Sequence, residues 1–192
     1  ALYGLMTGRV ADGVAAGRFT DGVRMERLAC HFASRYLSAL DAFGRAADAP
    51  VSWTLARDAA ASWRPIILQH LMLGMNAHIN FDLGIAAADV AGGDGLQAVK
   101  QDFDEINLVL AELLGDVQRC LGQVSPWMAI LDAAGGRKDE KIVNFSMRRA
   151  RDAAWEVAER FSRLGGDARR GAEGALDRRV ARFAGVILRP GY

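Results

Sequence analysis

Apolar residues along this chain recur at intervals of three and four rather than two, the period of a helix with one buried face. Between Thr20 and Phe43, the residues Met25, Leu28, Phe32, Tyr36, Ala39, Leu40 and Phe43 form one stripe, with Thr20 or Asp21 as the N-cap. A loop is expected at 46–50. A second helix is predicted from about Ser52, and Pro65 either kinks it or opens the next helix at its first position, because proline has no N–H to donate. Residues 65–90 then read as a central helix that is apolar on nearly every side. Gly92, Gly93 and Gly95 end it. The seam Leu96, Val99, Phe103, Ile106, Leu110, Leu113, Val117, Leu121, Val124 marks the most regular amphipathic helix of the chain. Ser125 and Pro126 open a short helix to about Ala134, Gly135 and Gly136 precede a long helix over about 139–164, and Gly165 and Gly166 separate that from a final helix before Pro190. No segment alternates like a strand. The expected fold is all-α, a single-domain bundle of about six to seven helices around the central helix at 65–90.

Composition narrows the class further. With 192 residues, 51% hydrophobic, 24% charged and a net charge of +1, the chain is expected to form one domain over 1–192, without a disordered tail or a dedicated nucleic-acid surface. No apolar run approaches the roughly 20 residues that cross a bilayer, and the first residues lack the basic start and continuous apolar run of a signal peptide. Cys30 and Cys120 stand in no metal or redox spacing and are expected to be reduced, largely buried thiols, so a cytoplasmic protein is expected. Charge is uneven along the chain. Residues 82–116 carry eight acids and one lysine, whereas 148–192 carry eleven arginines and six acids, so these stretches are expected either to complement each other or to face different partners.

The central helix does not read as plain core. It carries His70, Asn76, His78, Asn80 and Asp82 among Leu71, Leu73, Ile79, Phe81 and Leu83. Unsatisfied buried polar groups cost on the order of 1–3 kcal/mol each, so these side chains require partners or a ligand. At about 100° per residue His70, His78 and Asp82 share one sector, and Asn76 and Asn80 lie one turn apart elsewhere. His78 and Asp82, at i and i+4, make an imidazole with an adjacent carboxylate, the pairing used for acid/base work and for metal ligation. His31 from a neighbouring helix would complete a set for zinc or iron. His70 is about 12 Å from His78 along the helix axis and stands behind that set rather than in it. Asn144, Arg148, Arg151 and Trp155 form a stripe on the long helix, an edge suited to an anion, and Asp102 and Asn107 border the preceding seam. Nucleophile elbows, phosphate loops and dinucleotide fingerprints are absent from the sequence.

The run GMNAHINFDLGIA at 74–86, preceded by QHL at 69–71, resembles the core motif of a bacterial family known only as a domain of unknown function. FASRYLSAL at 32–40, DFDEIN at 102–107 and RRARDAAWEVA at 148–158 are similar to its flanking motifs in the same order. The resemblance covers about 20–165, leaving 166–192 as an expected variable C-terminal helix. It implies a helical domain in which Asn76, His78, Asn80 and Asp82 act as a set, joined by Arg35, Tyr36, Asn107, Arg151 and Trp155. Three functional readings stay open. The first is a small-molecule enzyme with His78 and Asp82 as its catalytic pair. The second is a non-catalytic binder in which Asn76, Asn80 and Arg151 hold the polar end of an apolar ligand. The third is a polar network that only fixes helix register.

Overall fold

The computed structural model describes residues 2–45, 48–91, 95–109 and 137–189, with side chains from Thr7 onward except Leu68 and 137–147. The expectations for Leu110, Leu113, Val117, Cys120, Leu121, Val124, the helix at Ser125–Ala134 and the side chain of Asn144 lie outside the described residues. The fold is all-helical, with no strand among the described residues. In chain order it runs α1 (Leu2–Ala15), α2 (Gly22–Gly44), α3 (Val51–Ala60), α4 (Ile67–Met75), a π-helical segment (Asn76–Leu83), α5 (Gly84–Val90), α6 (97–109), α7 (Arg137–Phe161) and α8 (Gly166–Ile187). The contacts divide it into two compact units, Ala1–Ala29 with Gln97–Arg149, and Cys30–Leu96 with Ala150–Tyr192.

The first unit opens with a helix that the sequence pattern did not announce. Helix α1 ends at Gly17, whose φ of 67° only glycine adopts without strain. The Arg18 N–H reaches the Gly13 carbonyl and the Gly17 N–H reaches Val14, the paired bonds that close a helix through a left-handed residue. Asp21 caps α2, its Oδ1 accepting from the Arg24 N–H at 2.9 Å. Just ahead of it, the buried Asp102 of α6 accepts from the N–H groups of Thr20 and Asp21 at 2.7 and 2.8 Å. Arg18 pairs with Glu105 at 2.7 Å. Met25, Leu28, Val99 and Phe103 are buried, as their stripes predict, and Val109, outside the expected seam, is buried too.

In the second unit α3 packs on α4, on α8 and on the π-helical segment, and α8 packs on that segment too. Helix α3 begins at Pro50, which offers no side-chain cap; instead Asp177 of α8 accepts from the N–H groups of Val51 and Ser52 at 2.7 and 2.9 Å. A carboxylate at a helix N-terminus also meets the positive end of the helix dipole. Pro65 neither kinks a helix nor occupies its first turn: α3 stops at Ala60, and Pro65 precedes the N-cap residue Ile66 of α4. Gln69 reaches back to the Ile66 N–H at 3.0 Å and donates to the carbonyl of Ile187 at 2.7 Å, which ties the start of α4 to the end of α8. Two other expectations are corrected. Leu40 on the α2 stripe is exposed, and the Cys30 thiol is exposed rather than buried.

The predicted central helix is present from Ile67; its half from Asn76 to Val90 is the most buried stretch of this unit, whereas Ile67 and Met72 in its first turns are exposed, and it is not uniformly α-helical. Over Asn76–Leu83 it closes i→i+5 turns, a wider winding that is rare and usually confined to a single turn. At its end Gly84 lets α7 come close. A Cβ on Gly84 would stand 2.4 Å from the Ala154 carbonyl oxygen and 2.8 Å from the Val157 side chain, so a methyl group does not fit. Gly74, two residues before the π segment, has open space at the same position. Gly84→Ala is therefore expected to lower stability by about 1–3 kcal/mol in urea denaturation, as overpacking does. Gly74→Ala, by contrast, gains helix propensity and is neutral or stabilising. Equal responses of the two variants would contradict this packing.

Candidate functional site

The π-helical segment presents two polar edges. On one, Asp82 is 1% exposed, and both carboxylate oxygens are engaged by groups from other helices. Oδ1 accepts from Arg35 Nε of α2 at 2.9 Å, and Oδ2 accepts from Trp53 Nε1 of α3 at 2.9 Å. The Arg35 Nη2 continues to Glu173 of α8 at 2.7 Å, so one guanidinium joins two carboxylates. Its carbons lie over the Phe81 ring, with Cζ 5.2 Å from the centroid. Burial alone pushes the Arg35 pKa down, but the charge of Asp82 and the hydrogen bond and charge of Glu173 outweigh it, and the net shift is upward. A cation whose folded pKa is raised contributes stability that is full below its unfolded pKa and is lost only as pH rises through the folded value. For an arginine that window lies above the neutral range, so the pair is a constant of the fold at ordinary pH.

His78 sits beside this cluster. Its ring stacks on Phe32 at 3.7 Å with planes 9° apart, and Tyr36 and Trp53 approach it edge-on or tilted, each with centroids 6.1 Å away. Nδ1 stands 3.7 Å from Asp82 Oδ2, longer than a hydrogen bond but within ion-pair range when the imidazole is protonated. Arg35, Tyr36, His78 and Asp82, all named from the sequence, are thus brought together. Trp53 and Glu173 complete the cluster without having been singled out, because a lone tryptophan in a short helix and one acid in a weakly patterned helix carry no signal of their partners.

The metal set expected from the sequence does not assemble. His31 is exposed on α2: Phe32 and Tyr36 face His78, and a step of one residue turns His31 about 100° away from them. His70 lies on α4 with its Nδ1 buried and no hydrogen-bond partner among the described residues. Among the described residues, no three His, Cys, Asp or Glu side chains converge to hold a metal ion.

The second polar edge carries the asparagines. Asn76 is buried and donates through Nδ2 to the Val180 carbonyl at 3.0 Å; its Oδ1 accepts from Asn80 Nδ2 at 2.9 Å. Both line an open cleft of about 470 Å³ with Val157, Arg160, Val180 and Phe183, and Glu156 and Arg179 stand at the same cleft. Of the stripe expected on α7, Arg148 is exposed, whereas Arg151 and Trp155 are buried, Trp155 donating to Glu159 at 3.0 Å. Neither lines the cleft, and Glu156 and Arg160 take that place. Asn107 is half-buried on α6 and belongs to the first unit.

These features define an all-helical protein whose central segment carries a buried ionic and aromatic cluster on one edge and an amide-lined cleft on the other. The chain belongs to DUF5995, a family of unknown function, whose model matches residues 1–190. The match includes α8, the helix expected to be variable, which supplies Glu173, Asp177 and Arg179. No curated protein and no solved structure matches the chain.

Asp82→Asn is expected to cost roughly 2–3 kcal/mol of stability at neutral pH, because it removes the charge that both Arg35 and Trp53 address while keeping the side-chain volume. Chemical denaturation measures it. A loss below about half a kcal/mol would show that the cluster does not support the fold.

Proposed function

We propose that the protein binds a small amphipathic molecule in the cleft beside Asn76 and Asn80, with an anionic head group held by Arg160 and Arg179. The observation that carries this reading is that two guanidinium groups meet at one cleft with no ion pair to any carboxylate among the described residues. Unneutralised arginines at a concave surface favour a carboxylate or phosphate. Asn80 adds an amide, Glu156 adds an acceptor for a hydroxyl or amine next to the anionic group, and Val157, Val180 and Phe183 supply an apolar wall. The volume lies within the range of small-molecule sites. On this reading the Asp82 cluster holds the segment from behind, and Arg151, assigned to the ligand from the sequence, belongs to the core.

A second reading is favoured by one distance, the 3.7 Å between His78 Nδ1 and Asp82 Oδ2. There His78 is a general base and Asp82 its orienting partner, acting on a substrate that enters past the aromatic rings.

Calorimetric titration with 2-hydroxyoctanoate and octanoate separates the readings. Saturable binding is expected, tighter for the hydroxy acid, and weakened at least about tenfold in Arg160→Gln/Arg179→Gln, since each charged hydrogen bond contributes about 1.5–3 kcal/mol. Arg148→Gln, exposed and away from the cleft, is expected to bind as the parent does. Binding indifferent to the double substitution but lost in His78→Gln would replace the first reading by the second.

A further inference from the structure

One end of the second unit combines exposed apolar side chains with unbalanced positive charge. In the turn between α3 and α4, Trp63 is 89% exposed, followed by Ile66 at 62% and Ile67 at 59%. Single exposed apolar residues are ordinary, but three within five positions, at a turn and the helix start that follows it, are not. The Gln69 bond to the Ile187 carbonyl fixes this turn to the end of α8, where Val186 is also exposed. At about 100° per residue, Arg178, Arg179, Arg182, Phe183 and Val186 occupy one sector of α8 and are exposed, and Arg189, two residues past its end, is exposed as well. The opposite sector holds the buried Leu176, Val180 and Ala184. Residues 59–81 and 178–189 together contain five arginines and no aspartate or glutamate. The acids that border them are engaged: Asp58 pairs with Arg57, and Asp177 is buried on the α3 N-terminus.

We propose that this end of the second unit docks on an anionic lipid bilayer, with Trp63, Ile66 and Ile67 inserted among the head groups and Arg64, Arg182 and Arg189 against lipid phosphates. Charge complementarity selects an anionic surface, since nothing in these stretches balances the arginines. The shape selects a fluid one. A turn whose tryptophan is almost fully exposed needs no matching groove when it enters the interfacial zone, where the indole ring is favoured. Apolar contact and basic charge together supply the two signals that stable peripheral binding requires. No described helix is long and apolar enough to cross a membrane, so the contact is peripheral. Arg179 and Phe183 of this sector also line the cleft, but the lipid contacts named here do not include them.

Cosedimentation of the full chain with phosphatidylcholine vesicles, with and without about 30% phosphatidylglycerol, tests it. Binding is expected only to the anionic vesicles, weakening with salt and falling at least about tenfold in Arg182→Gln/Arg189→Gln, since each basic residue near such a surface contributes about 1 kcal/mol. Trp63→Ser/Ile66→Ser/Ile67→Ser is expected to abolish binding while retaining the helical circular dichroism, because all three residues are exposed and serine suits the N-cap position of Ile66. In the parent, brominated lipid is expected to quench part of the tryptophan emission, a component missing from Trp63→Phe even though that variant still sediments. Absence of sedimentation with anionic vesicles, or equal sedimentation of the serine variant, overturns the proposal. So does self-association of the parent, lost in the serine variant, without vesicle binding, which would assign the patch to a second copy of this chain.

Discussion

A buried carboxylate has to be answered from every side, and in the second unit of this protein that requirement falls on Asp82. Its two oxygens call on α2 through Arg35 and on α3 through Trp53, and Arg35 extends the demand to Glu173 on α8. Three helices are thereby held to one residue of the central segment. A pair of charges this far from water contributes less to net stability than its Coulomb attraction suggests, because desolvation offsets much of the gain. Its consequence is specificity: any register of α2 or α3 other than the observed one leaves a charge or an indole N–H without its partner.

The π-helical winding gives the segment its two usable edges. Wider turns cost backbone packing, so they persist where the surrounding contacts over-determine them. Here the surroundings include the Asp82 cluster on one edge, the Asn76 bond to the Val180 carbonyl on the other, and the close seat of α7 on Gly84 at the end. The stacked His78 ring and the amide pair Asn76–Asn80 then lie on different edges of one short segment. A fixed interior edge and an open cleft edge are what the proposed ligand site requires, since a site is only as well defined as the elements behind it.

Long-range carboxylates recur as helix terminators. Asp102 meets the backbone ahead of α2, and Asp177 meets the first turn of α3, where Pro50 has no capping side chain. Each answers N–H groups that a helix start leaves open, and each does so from another helix, which makes the cap a tertiary contact.

Helical class, the major helix starts and stops, and the burial of Met25, Leu28, Ala39, Val99 and Phe103 were legible in the chain, because a 3.6-residue period and the conformational habits of Gly and Pro are local properties. So was the anomaly at His70–Asp82, since five polar residues in an apolar helix demand partners wherever they fold, and the pairing of Asn76 with Asn80 follows from their spacing. What the chain could not announce was who answers. Arg35 and Asp82 are 47 residues apart and Arg35 and Glu173 138 apart, and no local rule connects them. The same holds for the exposure of His31, which turned on Phe32 taking the inward position, and for Leu40 and Cys30, whose surroundings depend on which helices pack beside α2. The π-helical turns belong to this second group as well. Propensity favours the α-helix at these residues, and packing against α3 and α8, with α7 seated on Gly84 just beyond, contacts made only after the chain folds, accompanies the wider winding.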